Sequence, residues 1–259
     1  MKLVVASVNY GTSHLIEQWA TSIKKHKPDA ELIIVDNLYD NDERQKATKI
    51  CRDLCITLIE SENLGYGAGL NIAIKYYKSN MTPSPSDVIL LGNLDILFER
   101  INIPNINEPR AFIAYGLENN KKLNPFLTLA QKKILFIHSI PANFNSSLLL
   151  YCTTAIVKIF SLLKSPPWTT HGSLFCINSA ALDESEIFNQ NSFLYSEELE
   201  FGSHLEKTSI KLENIDIRYQ HIPHAATSRI ISGHKRFFKY WKPSFLNWYE
   251  KNFKKNENL

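Results

Sequence analysis

An aspartate stands inside the apolar run "VILLGNLDILF", residues 88 to 98. Burying a carboxylate costs several kcal/mol unless a partner or a cation compensates it, so Asp95 needs something to bind. Asn93, two residues earlier, adds a carbonyl oxygen of the kind a hard divalent cation accepts. A second acidic group, Glu197, Glu198 and Glu200 in "FLYSEELEFG", offers carboxylates that could take the proton of a hydroxyl nucleophile. The plainer reading of those acids is the first turn of a solvated helix. Between the two clusters, "ENLGYGAGLNIAI" carries glycines at 65, 67 and 69, which allow a ligand to approach the backbone ahead of a helix N-terminus. Their spacing does not fit G-x-G-x-x-G, which disfavours a nicotinamide enzyme. Cys51 with Cys55, and His221 with His224, lack the further ligands of a zinc site.

These residues need elements to position them. "KLVVASV", "ELIIVD" and "CITLIE" read as strands, and the opening run reads as a fourth buried strand. A helix follows Gly11, with Thr12 and Ser13 as capping candidates and Leu15, Ile16, Trp19, Ala20 and Ile23 on its apolar face. Asp40 opens a second helix that buries Ala47, Ile50, Cys51 and Leu54, and the glycine turn leads into a third. Such alternation predicts a mostly parallel, Rossmann-like α/β sheet with helices on both faces in a single globular domain. Polar residues collect where such sheets bind ligands, at the carboxyl ends of the strands: Ser7 to Tyr10, Asp36 and Asn37, Asn63 to Gly69, and Asn93 to Asp95.

Beyond residue 100, "AFIAYG", "HGSLFCIN" and "SIKLENIDIRYQHI" suggest further strands. "LLLYCTTAIVKIFSLL" suggests an amphipathic helix that packs Cys152, Ala155, Ile156, Ile159, Phe160 and Leu163 on the core, with Thr154, Lys158 and Ser161 outward. The tail from Gly233 interleaves Lys and Arg with Phe, Trp and Tyr, a pattern that can lie on anionic lipid or pack as a terminal helix. We divide the chain into 1–99, 100–232 with a helical insertion at about 126–165, and a basic aromatic tail at 233–259.

Composition sets outer limits. The chain has 259 residues, 44% of them hydrophobic and 21% charged, enough for one large core. A net charge of +3 falls short of the excess expected of a nucleic-acid binder. The N-terminal apolar stretch is too short for a signal peptide, and 134–157 is interrupted by His138, Pro141, Asn143 and Asn145, so no membrane span and a cytoplasmic location are expected. The four cysteines read as buried structural thiols.

Taken in order, the motifs resemble the inverting family 2 glycosyltransferases of GT-A fold, in particular the bacterial branch that builds capsule, lipopolysaccharide and cell-wall sugars, including rhamnosyltransferases. "IIVDN" is similar to the strand whose Asp contacts the nucleotide, and "ENLGYGAGLNIAI" to the family's Asn-x-Gly-aromatic turn. "LLGNLDI" stands at the metal motif, "HGSLFCIN" at the acceptor strand, "FLYSEELEFG" at the base motif, and "HIPHAATSR" at the His-containing ending. The match runs from "VVASVNYG" to "HAATSR" and is weakest over 100–170.

The resemblance implies transfer of a hexose or deoxyhexose from a UDP-, dTDP- or GDP-sugar to a glycan hydroxyl, with a lipid-linked acceptor at the inner membrane surface. Val8, Asn9, Tyr10, Asp36, Asn63, Gly65, Tyr66, Asn71, Asn93 and Leu94 would bind the nucleotide sugar. Asp95, with His224, would hold Mn2+ or Mg2+; His171, Gly172 and Ser173 would meet the acceptor; and Glu198 or Glu197 would be the base. Glu replaces the family's usual Asp at 198 and 200. With one acid and one amide at 93–95, the cation is expected to be held weakly and ordered mainly by the donor diphosphate. Two other readings are a non-catalytic sugar-nucleotide-binding protein and a sugar nucleotidyltransferase. The latter would need a basic glycine-rich loop after the first strand, and "SVNYGTSH" has no Lys or Arg.

Overall fold

Alternating burial organises the sheet. Along β1 (Leu3–Asn9), Leu3 and Val5 enter one apolar cluster while Val4 and Ala6 enter another on the opposite face, the two-residue period of a strand covered on both sides. The structure, a computed structural model, describes residues 1–144, 146–183, 185–222 and 233–253, excepting the side chains of 147 and 233–238.

A turn of 3-10 helix (Ser13–Leu15) leads into α1 (Ile16–Lys24). Thr12 does not cap it; its hydroxyl donates to Asn9 Oδ1. Then come β2 (Glu31–Asn37), α2 (Asn41–Asp53), β3 (Thr57–Ser61), α3 (Tyr66–Asn80) and β4 (Val88–Gly92). Asp40 caps α2 by accepting from the Glu43 amide. Trp19, Ile23, Ala47 and Cys51 of α1 and α2 cover one sheet face, and Leu70 and Tyr77 of α3 cover the other.

The run 88–98 is not one strand. β4 ends at Gly92, the chain turns through 93–95, and β5 (Ile96–Ile101) lies at the far edge of the sheet. Both pieces are buried and apolar, so the hydrophobic pattern crosses the break without a mark. What fixes the break is long-range: the Asn93 amide donates to Ser173 O, and Asp95 O accepts from the Ile222 amide.

The remaining elements are β6 (Arg110–Glu118), β7 (Lys121–Lys122), β8 (Leu127–Thr128), α4 (Leu129–Lys133), α5 (Ser139–Phe144), α6 (Ser147–Phe160), β9 (Pro167–Thr169), β10 (Leu174–Asn178), α7 (Glu197–Lys207), β11 (Lys211–His221) and α8 (Gly233–Asn252). The main sheet has the order β3-β2-β1-β4-β10-β6-β11-β5, with β7 paired to β6. Its first four strands are parallel, whereas β10 runs antiparallel to both neighbours and β5 antiparallel to β11. β8 and β9 pair separately.

One expectation about packing is corrected, and the tail packs as one of its two readings has it. In α6 the buried residues are Thr153 and Val157, while Cys152, Ala155, Ile156, Ile159 and, just beyond it, Leu163 face outward. The helix is apolar on nearly every side, so periodicity alone could not choose its inner face. The tail is an integral helix: Phe245 and Trp248 are buried with Leu127, Val157, Trp168 and Leu199, and Trp248 Nε1 donates to Leu199 O and Ser203 Oγ. Of the thiols, Cys51 and Cys176 are buried, but Cys55 and Cys152 are exposed. Among the described residues, no helix is long and apolar enough to cross a membrane.

Candidate active site

The ends of β1, β2 and β4 and the start of α3 lie together at one rim of the sheet, where the sequence reading expects the nucleotide. Asn9 donates to Asp36 Oδ1 at 2.6 Å and accepts from the Thr12 amide and hydroxyl. Arg44 of α2, absent from the sequence reading, donates through Nε to Asp36 Oδ2 at 2.7 Å and through a terminal nitrogen to the carbonyls of Asp36 and Ser61. Asp36 is therefore held rigidly at the strand end with its charge matched. Tyr10 packs edge-on against Tyr39, ring centroids 5.1 Å apart, which places an aromatic pair at the rim. Val8 is half-buried against Gly69, and Asn63 is half-buried before the glycine turn.

Gly65 is required by its backbone. Its φ is +100°, and a Cβ there would collide with the Phe193 carbonyl, so only glycine is comfortable. The turn is pinned from two sides, by Asn37 Nδ2 donating to Gly65 O and by the Tyr66 amide donating to Phe193 O. Tyr66 carries a buried hydroxyl with no hydrogen-bond partner. Burial raises this phenol well above its ordinary value, and the charges of Glu197, Asp95 and Glu198 raise it further. The metal-motif aspartate and both candidate bases thus act electrostatically on one hydroxyl at the start of α3.

Two residues expected to meet the donor are buried in the fold. Leu94 is buried in the core with Leu90 and Ile96, because 93–95 turns its middle side chain inward. Asn71 is buried and spans the Phe188 backbone, donating to its carbonyl at 2.6 Å and accepting from its amide at 3.2 Å. Asn93 remains half-buried at the rim.

At Asp95, the partner is His221, which the sequence reading set aside. Its Nε2 lies 3.3 Å from Asp95 Oδ1 in an ion pair without hydrogen-bond geometry, and its Nδ1 lies 2.5 Å from Glu118 Oε2. Burial alone would depress this imidazole, but Asp95 and then Glu118 raise it above the ordinary value. The buried Asp95 Oδ1 still lacks a hydrogen-bond donor, which leaves that oxygen able to accept a cation. An imidazole whose other nitrogen is fixed by a carboxylate is the usual form of a histidine metal ligand. Asp95 and His221 thus fit a divalent cation as two protein ligands. Among the described residues, no cluster of three or more His, Cys, Asp or Glu could hold one, so the other positions would fall to water and ligand oxygens. His224 lies outside the described residues.

The acceptor-side residues form a connected unit. The His171 amide donates to Asn124 Oδ1, and its Nδ1 accepts from the Ser173 amide at 3.2 Å and meets Ser173 Oγ at 2.9 Å. Ser173 Oγ in turn meets the Tyr219 hydroxyl. An accepting Nδ1 specifies the neutral ring, consistent with burial depressing this histidine. The Gly172 amide donates to Glu198 Oε1 at 3.1 Å, tying the start of β10 to the start of α7.

The three glutamates of α7 differ sharply. Glu198 is half-buried and reaches Gly172. Glu197 is buried beside Gly67, its Oε1 unpartnered, and burial with the charge of Glu198 pushes it up to about 8. Glu200 is also buried, which corrects the picture of a solvated first turn: it accepts from Ser192 and Asn189, is pushed up to about 7 chiefly by burial, and lines a separate cavity of ≈ 530 Å³ with His204 and Trp248.

This arrangement on a sheet that is parallel in its first half and mixed in its second is the GT-A, Rossmann-like fold. S. aureus TarS, residues 1–349, superposes with a TM-score of 0.50 at 14% identity over 99% of this chain and 74% of that one. A mannosyltransferase from Pyrobaculum calidifontis, in complex with GDP-Man and Mn2+, gives 0.51 at 14% identity over 85% of this chain and 56% of that one. Glucosyl-3-phosphoglycerate synthase from Mycobacterium tuberculosis, with Mn2+, UDP and phosphoglyceric acid, gives 0.50 at 9% identity over 96% of this chain and 78% of that one. Against a longer S. aureus TarS structure, which scores 0.54 at 13% identity, the chain spans 45% of the length. No protein-family model and no curated protein sequence matches the chain. At these identities the likeness concerns the fold.

Proposed function

We propose that the chain is an inverting, metal-dependent glycosyltransferase that moves a sugar from a nucleoside diphosphate to a glycan hydroxyl. The observation that carries the reading is the run of contacts from Asp95 to His221 at 3.3 Å, from His221 to the His171 ring at 5.8 Å between centroids, and from Gly172 to Glu198 at 3.1 Å, which brings the metal-motif acid and the candidate base to neighbouring positions. The solved structures of similar fold lend it support, since one holds GDP-Man with Mn2+ and another UDP with Mn2+.

Asp36, clamped by Arg44 and Asn9, would orient the nucleoside, and the backbone around Gly65 would lie along the donor. The acceptor oxygen bonds to the anomeric carbon on the face opposite the diphosphate as the bond from that carbon to the diphosphate oxygen breaks. The hydroxyl proton passes to Glu198, and the nucleoside diphosphate leaves with the bonding electron pair. Glu198 suits the base because the Gly172 amide holds its carboxylate at the cleft, whereas Glu197, pushed up to about 8, is protonated at neutral pH. A cation bound at Asp95 and His221 would stabilise the charge that develops on the diphosphate.

The decisive experiment is a screen of UDP-, GDP- and dTDP-sugars for hydrolysis and transfer with Mn2+ and with EDTA. Turnover of one donor, abolished by Asp95→Ala and by EDTA, is expected. Donor binding without turnover would instead make the chain a non-catalytic sugar-nucleotide binder, and absence of binding to all three classes would overturn the reading.

A further inference from the structure

The strongest feature outside the cleft is the outer face of α5 and α6. Phe144, Leu148 and Leu162 are 74%, 73% and 82% exposed, and Tyr151, Ile159 and Leu163 are also exposed on the same helical layer. From Leu148 to Leu162 the stripe runs about 20 Å at the rise of an α-helix. Large exposed apolar side chains in one continuous band mark a contact surface.

Charge selects the occupant. From residue 119 to residue 182 the sequence has six lysines and no Asp or Glu. Lys158 and Lys164 are exposed on and just after α6, beside the apolar stripe. An isologous dimer through this face would bring those lysines toward their own copies with no carboxylate of the segment to neutralise them. A surface that is both apolar and negatively charged satisfies both properties, and an interfacial helix with a cationic flank is the usual solution for an anionic bilayer. Phe245 and Trp248 of the tail do not supply such a contact, because they are buried in the core.

We propose that α5 and α6 dock the protein on anionic phospholipid, with the apolar stripe entering the headgroup boundary and Lys158 and Lys164 meeting lipid phosphates. The layer is anchored from beneath: Val157 of α6 packs in one cluster with Leu199 of α7, next in sequence to Glu198. The docking is independent of what the cleft transfers, since none of these exposed residues belongs to the proposed donor, metal, base or acceptor set.

Flotation of the full chain with phosphatidylcholine vesicles, with and without phosphatidylglycerol, tests the idea. Binding should require phosphatidylglycerol, weaken with salt, and fall about tenfold or more in the Leu148→Ser/Leu162→Ser double variant. Lys158→Glu/Lys164→Glu should lose the preference for phosphatidylglycerol. Circular dichroism and UDP- or GDP-sugar binding of both variants should match the parent, which separates loss of docking from loss of fold or of the cleft. Three outcomes overturn the proposal: no flotation at any composition, flotation unaffected by the Ser variant, or a concentration-dependent dimer in light scattering that the Ser variant abolishes, which would assign the face to a second copy.

Discussion

The Gly172 amide and the Glu198 carboxylate are a fitted pair: the N–H donates at 3.1 Å, and a Cβ on residue 172 would stand 2.5 Å from Glu198 Oε1. Glycine at 172 therefore does two things, supplying the donor and leaving room for the acceptor. Gly172→Ala should displace Glu198 and reduce transfer about tenfold or more, and Glu198→Gln should reduce it about a hundredfold or more, the scale of a lost general base. Donor binding should change little in either variant. Equal loss of donor affinity and turnover in Gly172→Ala would show that 172 shapes the donor pocket rather than the base.

His221 links Asp95 to Glu118, and its raised pKa gives a signed prediction. A histidine whose folded value lies above its ordinary 6.5 contributes stability that is complete below 6.5 and is lost as pH rises through the folded value. The melting-temperature gap between parent and His221→Gln should thus be widest in acid and narrow above neutrality. If the imidazole also ligates a cation, the proton and Mn2+ compete, and apparent Mn2+ affinity with bound UDP or GDP should rise with pH. Glu118→Gln should weaken that affinity about tenfold, as loss of a ligand-orienting carboxylate does. Electron paramagnetic resonance of Mn2+ would read both effects, and a pH-independent, variant-independent affinity would remove His221 from the ligand set.

Glu197 also makes the fold less stable as pH rises, by a penalty in alkali rather than a contribution in acid. Its carboxyl is pushed from 4.5 up to about 8, first by burial and then by Glu198. Between those values the folded chain keeps a proton that the unfolded chain has released, so stability falls as pH rises across the window. Glu197→Gln removes the penalty while keeping the shape. The variant should melt with the parent near pH 4 and several degrees above it near pH 8, by thermal denaturation. Parallel curves for the two proteins would mean that Glu197 is ionised in the fold.

Much of residues 1–99 is legible in the sequence because its signals are local. Alternating burial in β1, the Asp40 cap and the glycine turn each act within a few residues, and each is found where the pattern puts it. The turn at 93–95 is hidden because β4 and β5 share one hydrophobic character while their partners, Ser173 and Ile222, come from distant segments. The inner face of α6 is hidden for a related reason: Val157 and Ile159 are chemically equivalent, and only the positions of Trp168, Leu199 and Trp248 decide which is buried. At the site, residue types pointed to Asp95 and Glu198, but the groups that hold other site residues in place, Arg44 on Asp36 and Glu118 on His221, are joined only by folding. Glu118 ends β6 two residues past the expected strand "AFIAYG", and its charge beside that apolar run was the one available signal.

Asn71 separates a ligand contact from a structural brace. Its amide is committed to both the carbonyl and the N–H of Phe188, fastening α3 to the segment that precedes α7. Asn71→Ala would leave two buried backbone groups without partners, at a cost of about 1–3 kcal/mol each. Thermal denaturation should therefore show a large loss of stability. Nucleotide-sugar affinity, measured well below the melting temperature, should stay within about threefold of the parent, a difference of less than 1 kcal/mol. Asn71→Asp discriminates further, because it keeps the acceptor for the Phe188 amide but places a carboxylate against the Phe188 carbonyl, so it should destabilise as well. A variant that folds with parental stability yet binds donor tenfold more weakly would return Asn71 to the nucleotide site, as the motif alone suggests.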